Sequence, residues 1–100
     1  MTFSYFDFTD LVEKARNLSW NQYENYAKGN GISKAQYEGT WKFSFDQSVN
    51  TIFSLTGLSQ ASFSRVYDVK LRTLEEWLAG RRKIRPLLLW TFAYSVISTI

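Results

Sequence analysis

Three short stretches of this chain share one pattern. LSWNQY (residues 18–23), ISKAQY (32–37) and LSQASF (58–63) each run aliphatic, Ser, three residues, aromatic. A Ser in that place is a helix N-cap, because its oxygen accepts a backbone N–H that the first helical turn leaves unpaired. The aliphatic residue before the Ser and the aromatic four after it form a hydrophobic staple. Gln22 and Gln36 stand three residues after their Ser, which predicts a Ser-x-x-Gln capping box at the first two sites. The spacings between the three copies are unequal, so they mark helix starts and not a repeat architecture. Three such starts in 100 residues point to an all-α chain.

The remaining elements follow from periodicity and punctuation. Asp10 is expected to cap a helix to about Asn17, with Leu11, Ala15 and Leu18 on one side. Ser19 opens a second, stopped near Gly29-Asn30-Gly31. Ser33 opens a short third ending about Gly39. A fourth runs from about Phe45 to Thr56, with Val49, Ile52, Phe53 and Thr56 at helical spacing and Gly57 as its stop. Ser59 to Tyr67 and Leu71 to Ala79 are the fifth and sixth. Arg85-Pro86 opens the last, since Pro is favoured in a first turn. The segment TWKFSF (40–45) alternates as a strand would, but has no obvious pairing partner. One compact unit is expected, with a helical extension over residues 1–44 and a core over 45–100.

Composition narrows the function classes. The chain has no Cys and no His. Thiol and imidazole chemistry, disulfides, Cys/His zinc sites and His-dependent triads are therefore excluded, which argues against an enzyme. Neither a cofactor nor a metal is implied. Hydrophobic residues make up 45% and aromatics 18%, ample for a core and unlike a disordered chain. The start, MTFSYFDFTD, is aromatic and acidic and does not read as a signal peptide. The apolar stretch from Pro86 to Ile100 reaches about 22 Å as a helix, short of the ~30 Å of a bilayer core. A buried helix and a cytoplasmic protein are the expectation.

Charge is unevenly distributed. Residues 1–46 hold five Lys/Arg and six Asp/Glu, whereas residues 47–100 hold seven Lys/Arg and three Asp/Glu. All seven of those cations lie between Arg65 and Arg85, which points to an anionic partner.

That segment includes GLSQASFSRVYDVKLRTLEEWLAGRRK (57–83). Its first helix presents Phe63, Val66 and Tyr67 as an apolar side. Asp68-Val69-Lys70 follows, and the next helix presents Leu74, Trp77 and Leu78. So short a connection forces a large crossing angle and a shared core. The opposite side of the second helix (Lys70, Arg72, Glu75, Glu76, Ala79) has the breadth of a major groove. On these residues the chain resembles the Cro/phage-repressor (Xre-type) helix-turn-helix family, antitoxin-like members included, over about residues 46–98. The family's opening Gln matches Gln60, its next core and small positions match Phe63 and Ser64, and its turn matches Asp68-Val69. Its two recognition-helix core positions match Leu74 and Trp77, and its closing Gly and basic residues match Gly80-Arg81-Arg82-Lys83. The resemblance implies a lambda-repressor-like helical core.

Three positions depart from the pattern. Asp68 stands for the turn Gly, and Asp enters the left-handed region more easily than most residues. Ser64 replaces the commoner Ala. Lys70 stands where Ser, Asp or Thr usually caps. A cation there opposes the helix dipole, and the missing cap costs about 1 kcal/mol. A DNA contact and plain tolerance account for Lys70 equally well.

The resemblance implies roles. Lys70, Leu71, Arg72, Glu75 and Glu76 are the candidates for base contacts. Arg72 would grip guanine or a phosphate, Leu71 would meet a thymine methyl, and either Glu would accept from a cytosine amino group or orient Arg72. Gln60, Thr73, Arg81, Arg82 and Lys83 are the candidates for phosphate contacts, giving affinity without sequence information.

The last helix carries one stripe of Leu89, Phe92, Ala93, Val96, Ile97 and Ile100. Leu87, Leu88, Trp90 and Tyr94 fall outside it. A homodimer would bury that second group, or the N-terminal helices would cover it. A dimer of this type reads half-sites about 34 Å apart in an inverted repeat. The functional expectation is a sequence-specific double-stranded DNA-binding repressor or autoregulator. The alternative is a protein-binding inhibitor, an antitoxin or a phage-encoded anti-defence protein, that uses the helix-turn-helix for autoregulation or for binding a toxin or other target; the aromatic-rich residues 1–44 serve either dimerisation or partner docking.

Overall fold

The computed structural model describes residues 2–100, an all-α compact domain with no strand among them. Seven helices follow in order: α1 (Tyr5–Asn17), α2 (Trp20–Gly29), α3 (Lys34–Phe45), α4 (Val49–Thr56), α5 (Gln60–Val66), α6 (Leu71–Leu78) and α7 (Pro86–Thr99).

All three expected Ser caps form. Ser19, Ser33 and Ser59 accept from the backbone N–H groups of Gln22, Gln36 and Ser62. Gln22 also returns a bond to Ser19 and closes its box. Gln36 does not. Its Nε2 instead donates to the Ser98 carbonyl at 3.3 Å, so a bond to α7 takes the place of a local one.

Several boundaries differ from expectation. Ser4, not Asp10, caps α1, in a box with Asp7. Asp10 lies inside the helix, where its carboxylate accepts from the Tyr26 hydroxyl at 2.5 Å and pairs with Lys14. The third helix runs through Gly39 to Phe45, so TWKFSF is helical. Its apparent alternation reflects a helix packed on several sides, since α3 contacts α1, α2, α4 and α7. Trp41 lies against Trp20 and Tyr23, while Phe43 meets Phe8 and Trp90. α4 begins at Val49 behind the Ser48 cap, not at Phe45, and ends at Gly57 with φ +67°. Val66, expected on the apolar side of α5, is exposed.

The extension over residues 1–44 is part of the core. Phe8, Leu11, Val12, Tyr23, Tyr37 and Phe43 are buried with Ile52, Phe63, Leu74 and Val96. Gly39 lets α3 approach α7 and α4 closely. A Cβ there would stand 3.3 Å from Ile100 Cδ1 and 3.5 Å from both Ile97 Cγ1 and Leu55 Cδ1.

Of the last helix's expected stripe, Leu89, Ala93, Val96 and Ile97 are buried, Phe92 is half-buried and Ile100 is exposed. The four residues outside it divide. Trp90 packs on Phe8 and Phe43, and Tyr94 packs on Phe3, Tyr5 and Phe8. The Tyr94 hydroxyl donates to the Phe3 carbonyl at 2.9 Å. These two residues therefore complete the intramolecular core, where the first helices cover them. Leu87 and Leu88 remain exposed at 78% and 40%. Among the described residues, no helix is long and apolar enough to cross a membrane.

Candidate nucleic-acid interface

The candidate surface is α6 with its flanks. α5 anchors it from behind: Phe63 is buried against Phe53, Tyr67 and Phe92. The chain turns between α5 and α6 through Asp68, at φ +52°. It is the one non-glycine residue with positive φ among those described, as expected of an Asp in a glycine's place. Ser64 has a use that its small size alone does not disclose. Its hydroxyl donates to the Val69 carbonyl, while the Val69 N–H donates to the Ser64 carbonyl at 3.0 Å. The two bonds close the connection, and Val69 is buried beneath it.

α6 then starts at Leu71 behind Lys70, which gives no side-chain cap bond. Leu74 is fully buried, and Trp77 meets Phe92 edge-on at a centroid distance of 6.0 Å. With those two facing inward, helical geometry turns the other side outward. Lys70, Leu71, Arg72 and Glu75 are exposed, and Thr73 and Glu76 are half-buried. Asn50 fixes the far end, donating from Nδ2 to the Leu78 carbonyl at 3.2 Å. That contact links residues 28 positions apart and has no counterpart in local sequence pattern.

Past α6, Gly80 at φ +74° reverses the chain and brings the basic residues back toward the helix. The Glu76 carbonyl accepts from the N–H groups of Arg81 and Arg82, at 2.9 and 3.3 Å. Its carboxylate spans two cations: Oε1 lies 3.5 Å from Arg72 Nε and Oε2 lies 3.7 Å from Arg82 Nε. Of the two acidic candidates, Glu76 is thus the one that pairs with Arg72, and Glu75 makes no ion pair among the described residues. Arg72, Glu75, Glu76 and Arg81 line an open cleft of about 300 Å³. The fold therefore gathers five sequence-selected residues, Arg72, Glu75, Glu76, Arg81 and Arg82, at one place. Gln60 is exposed at the first position of α5, and Lys83 is exposed beyond Arg82. The Arg72–Glu76 pair is legible as an i,i+4 spacing. The Arg82 pair is not, because it depends on the reversal at Gly80.

This arrangement provides cations and hydrogen-bonding groups on a convex helix face. It has no buried acid–base pair, and no group of three or more metal-ligating side chains occurs among the described residues. No protein-family model matches the chain, and no curated protein or solved structure matches it.

Proposed function

We propose that the chain is a sequence-specific double-stranded DNA-binding protein, a transcriptional repressor or autoregulator that acts in the cytoplasm as a homodimer on an inverted repeat. In this reading α5 and α6 act as a helix-turn-helix of the Xre type. α6 enters the major groove, Arg72 and Lys70 read base edges, and Arg81, Arg82 and Lys83 hold phosphates. The observation that carries the reading is the solvent exposure of Lys70, Leu71, Arg72 and Glu75 on α6, with Arg81, Arg82 and Lys83 exposed beside it. A ridge covered by the chain's own first forty residues would have been useless for this purpose. The homodimer has less support, since Trp90 and Tyr94 are occupied within the monomer.

The test is fluorescence anisotropy on duplex DNA from upstream of the chain's own gene, in a salt series. Affinity is expected to fall steeply with salt, with a slope set by the number of phosphates neutralised. Arg72→Ala should cost about 1–3 kcal/mol on the preferred duplex and relax sequence preference. Arg82→Ala should weaken all duplexes alike and lower the salt slope by about 1. Absence of binding at low salt, or binding indifferent to Arg72 and Arg82 together, would remove the reading.

One observation favours the second reading, a protein-binding inhibitor. Tyr5 and Phe6, adjacent in the N-terminal extension, are 41% and 76% exposed, although most aromatics there are packed inside.

A further inference from the structure

The start of α7 and the end of α6 enclose an open groove of about 670 Å³, of which the DNA reading uses only Arg82 and Lys83. Its apolar lining is Trp77, Ile84, Leu87 and Leu88. Arg82, Lys83 and Arg85 also line it and no carboxylate does, although Arg82 is paired with Glu76 at 3.7 Å. A second positive contribution comes from the backbone. α7 is capped by Arg85, which gives no side-chain acceptor, so the first-turn N–H groups keep their partial positive charge. Leu87, at 78% exposure, is the most exposed large hydrophobic side chain of the described residues.

An exposed apolar lining shared with cations selects its occupant by charge. A second copy of this chain suits it poorly, because a two-fold axis that stacked Leu87 on its equivalent would also bring the cations together. A duplex supplies phosphates but nothing for the apolar lining. We infer that this groove is a docking site for an acidic segment of a partner protein, with apolar anchors placed on Trp77, Leu87 and Leu88 and carboxylates placed on Arg82, Lys83 and Arg85. Such a segment satisfies both features at once, and its carboxylates complement the free N-terminus of α7. Arg82 and Lys83 also belong to the proposed phosphate clasp, so a docked segment and DNA draw on the same two side chains. Docking itself is independent of whether the chain binds DNA.

The experiment is selection of random linear peptides displayed on phage against the full chain, followed by anisotropy titration of the synthesised winners. The expected outcome is enrichment of peptides that combine Asp or Glu with Leu, Phe or Trp and bind less tightly as salt rises. Leu87→Ser and Arg85→Glu change exposed side chains, so both variants should keep the wild-type circular dichroism. Each should weaken the peptide by about tenfold or more, the loss of one anchor worth 1.4 kcal/mol. Phe6→Ser and Phe45→Ser should leave it unchanged. Several results would overturn the proposal: no acidic-apolar consensus, peptides indifferent to Leu87 and Arg85, or peptides lost with Phe6 or Phe45. Self-association of the wild type that Leu87→Ser abolishes would overturn it too, since the groove would then be filled by a second copy.

Discussion

The first three helices and the segment from Gln60 to Arg85 differ in how far their charged and capping groups are satisfied within the molecule. In α1–α3, the hydroxyls of Tyr23, Tyr26 and Tyr37 and the carboxylates of Asp7, Asp10 and Glu24 find partners within the molecule. Tyr23 donates to the Tyr37 carbonyl at 2.6 Å, Tyr37 to Glu24 at 2.9 Å and Tyr26 to Asp10 at 2.5 Å. Each of the three helices has a Ser cap. In the second region α5 keeps its Ser59 cap, but Lys70 and Arg85 give none to the helices that follow them, and among the described residues only Arg72 and Arg82 of its seven cations join an ion pair, both with Glu76. A region whose groups are mutually satisfied holds shape, whereas one whose charges face water is free to be completed from outside. The two can therefore be separated by substitution.

The largest effect is expected at Phe8, which is fully buried among Tyr5, Phe43, Trp90 and Tyr94. Phe8→Ala should cost about 3–5 kcal/mol in urea denaturation, a large part of a typical domain's stability. Leu71→Ala on the exposed α6 ridge should stay within about 0.5 kcal/mol. Equal losses at the two positions would erase the contrast.

Next comes the buried tyrosine. Tyr23→Phe leaves the Tyr37 carbonyl without this donor and should cost about 1–3 kcal/mol. The effect carries a pH signature. Burial pushes the Tyr23 phenol well above its ordinary range, and the neighbouring Thr40 hydroxyl offsets this only in part. Tyr26 is raised by its hydrogen bond to Asp10, and Tyr37 by burial and then by Glu24. In each case the folded chain holds its proton more tightly than the unfolded chain, whose tyrosines ionise near about pH 10. The stabilisation is complete below that pH and is lost as pH rises through the folded values. Urea midpoints measured in a pH series should fall above about pH 10, and less steeply in Tyr23→Phe.

The smallest change sharpens the comparison most. Lys70→Ser should supply the missing cap and raise stability by about 1 kcal/mol, read from the melting temperature. If Lys70 serves the proposed base contact, the same substitution should weaken binding to the preferred duplex and relax its sequence preference. A more stable variant with unchanged affinity would show that Lys70 is merely tolerated.

Local chemistry carried most of the fold. Ser19, Ser33 and Ser59 each needed only a neighbour three residues on, and Gly57 and Asp68 only a backbone sign. Ser4 was equally legible, since Asp7 stands three residues later, but the aromatic residues around it hid the cap. What sequence could not reveal was pairing at a distance. Gln36 abandoned its capping box for Ser98, and TWKFSF became a helix because four neighbours cover it. For the candidate surface, helical spacing sufficed to turn Lys70, Arg72 and Glu75 outward. The bridge from Glu76 to Arg82 and the groove at Leu87 needed the reversal at Gly80.

The placement of Trp90 and Tyr94 beneath α1 bears on how such a chain can change over generations. Cutting at residue 45 would strip the cover from both rings and leave each fragment with an open sticky face. The basic half is thus not a cassette to be excised and grafted elsewhere, and insertions or recombination joints should survive only where the chain already loops into water.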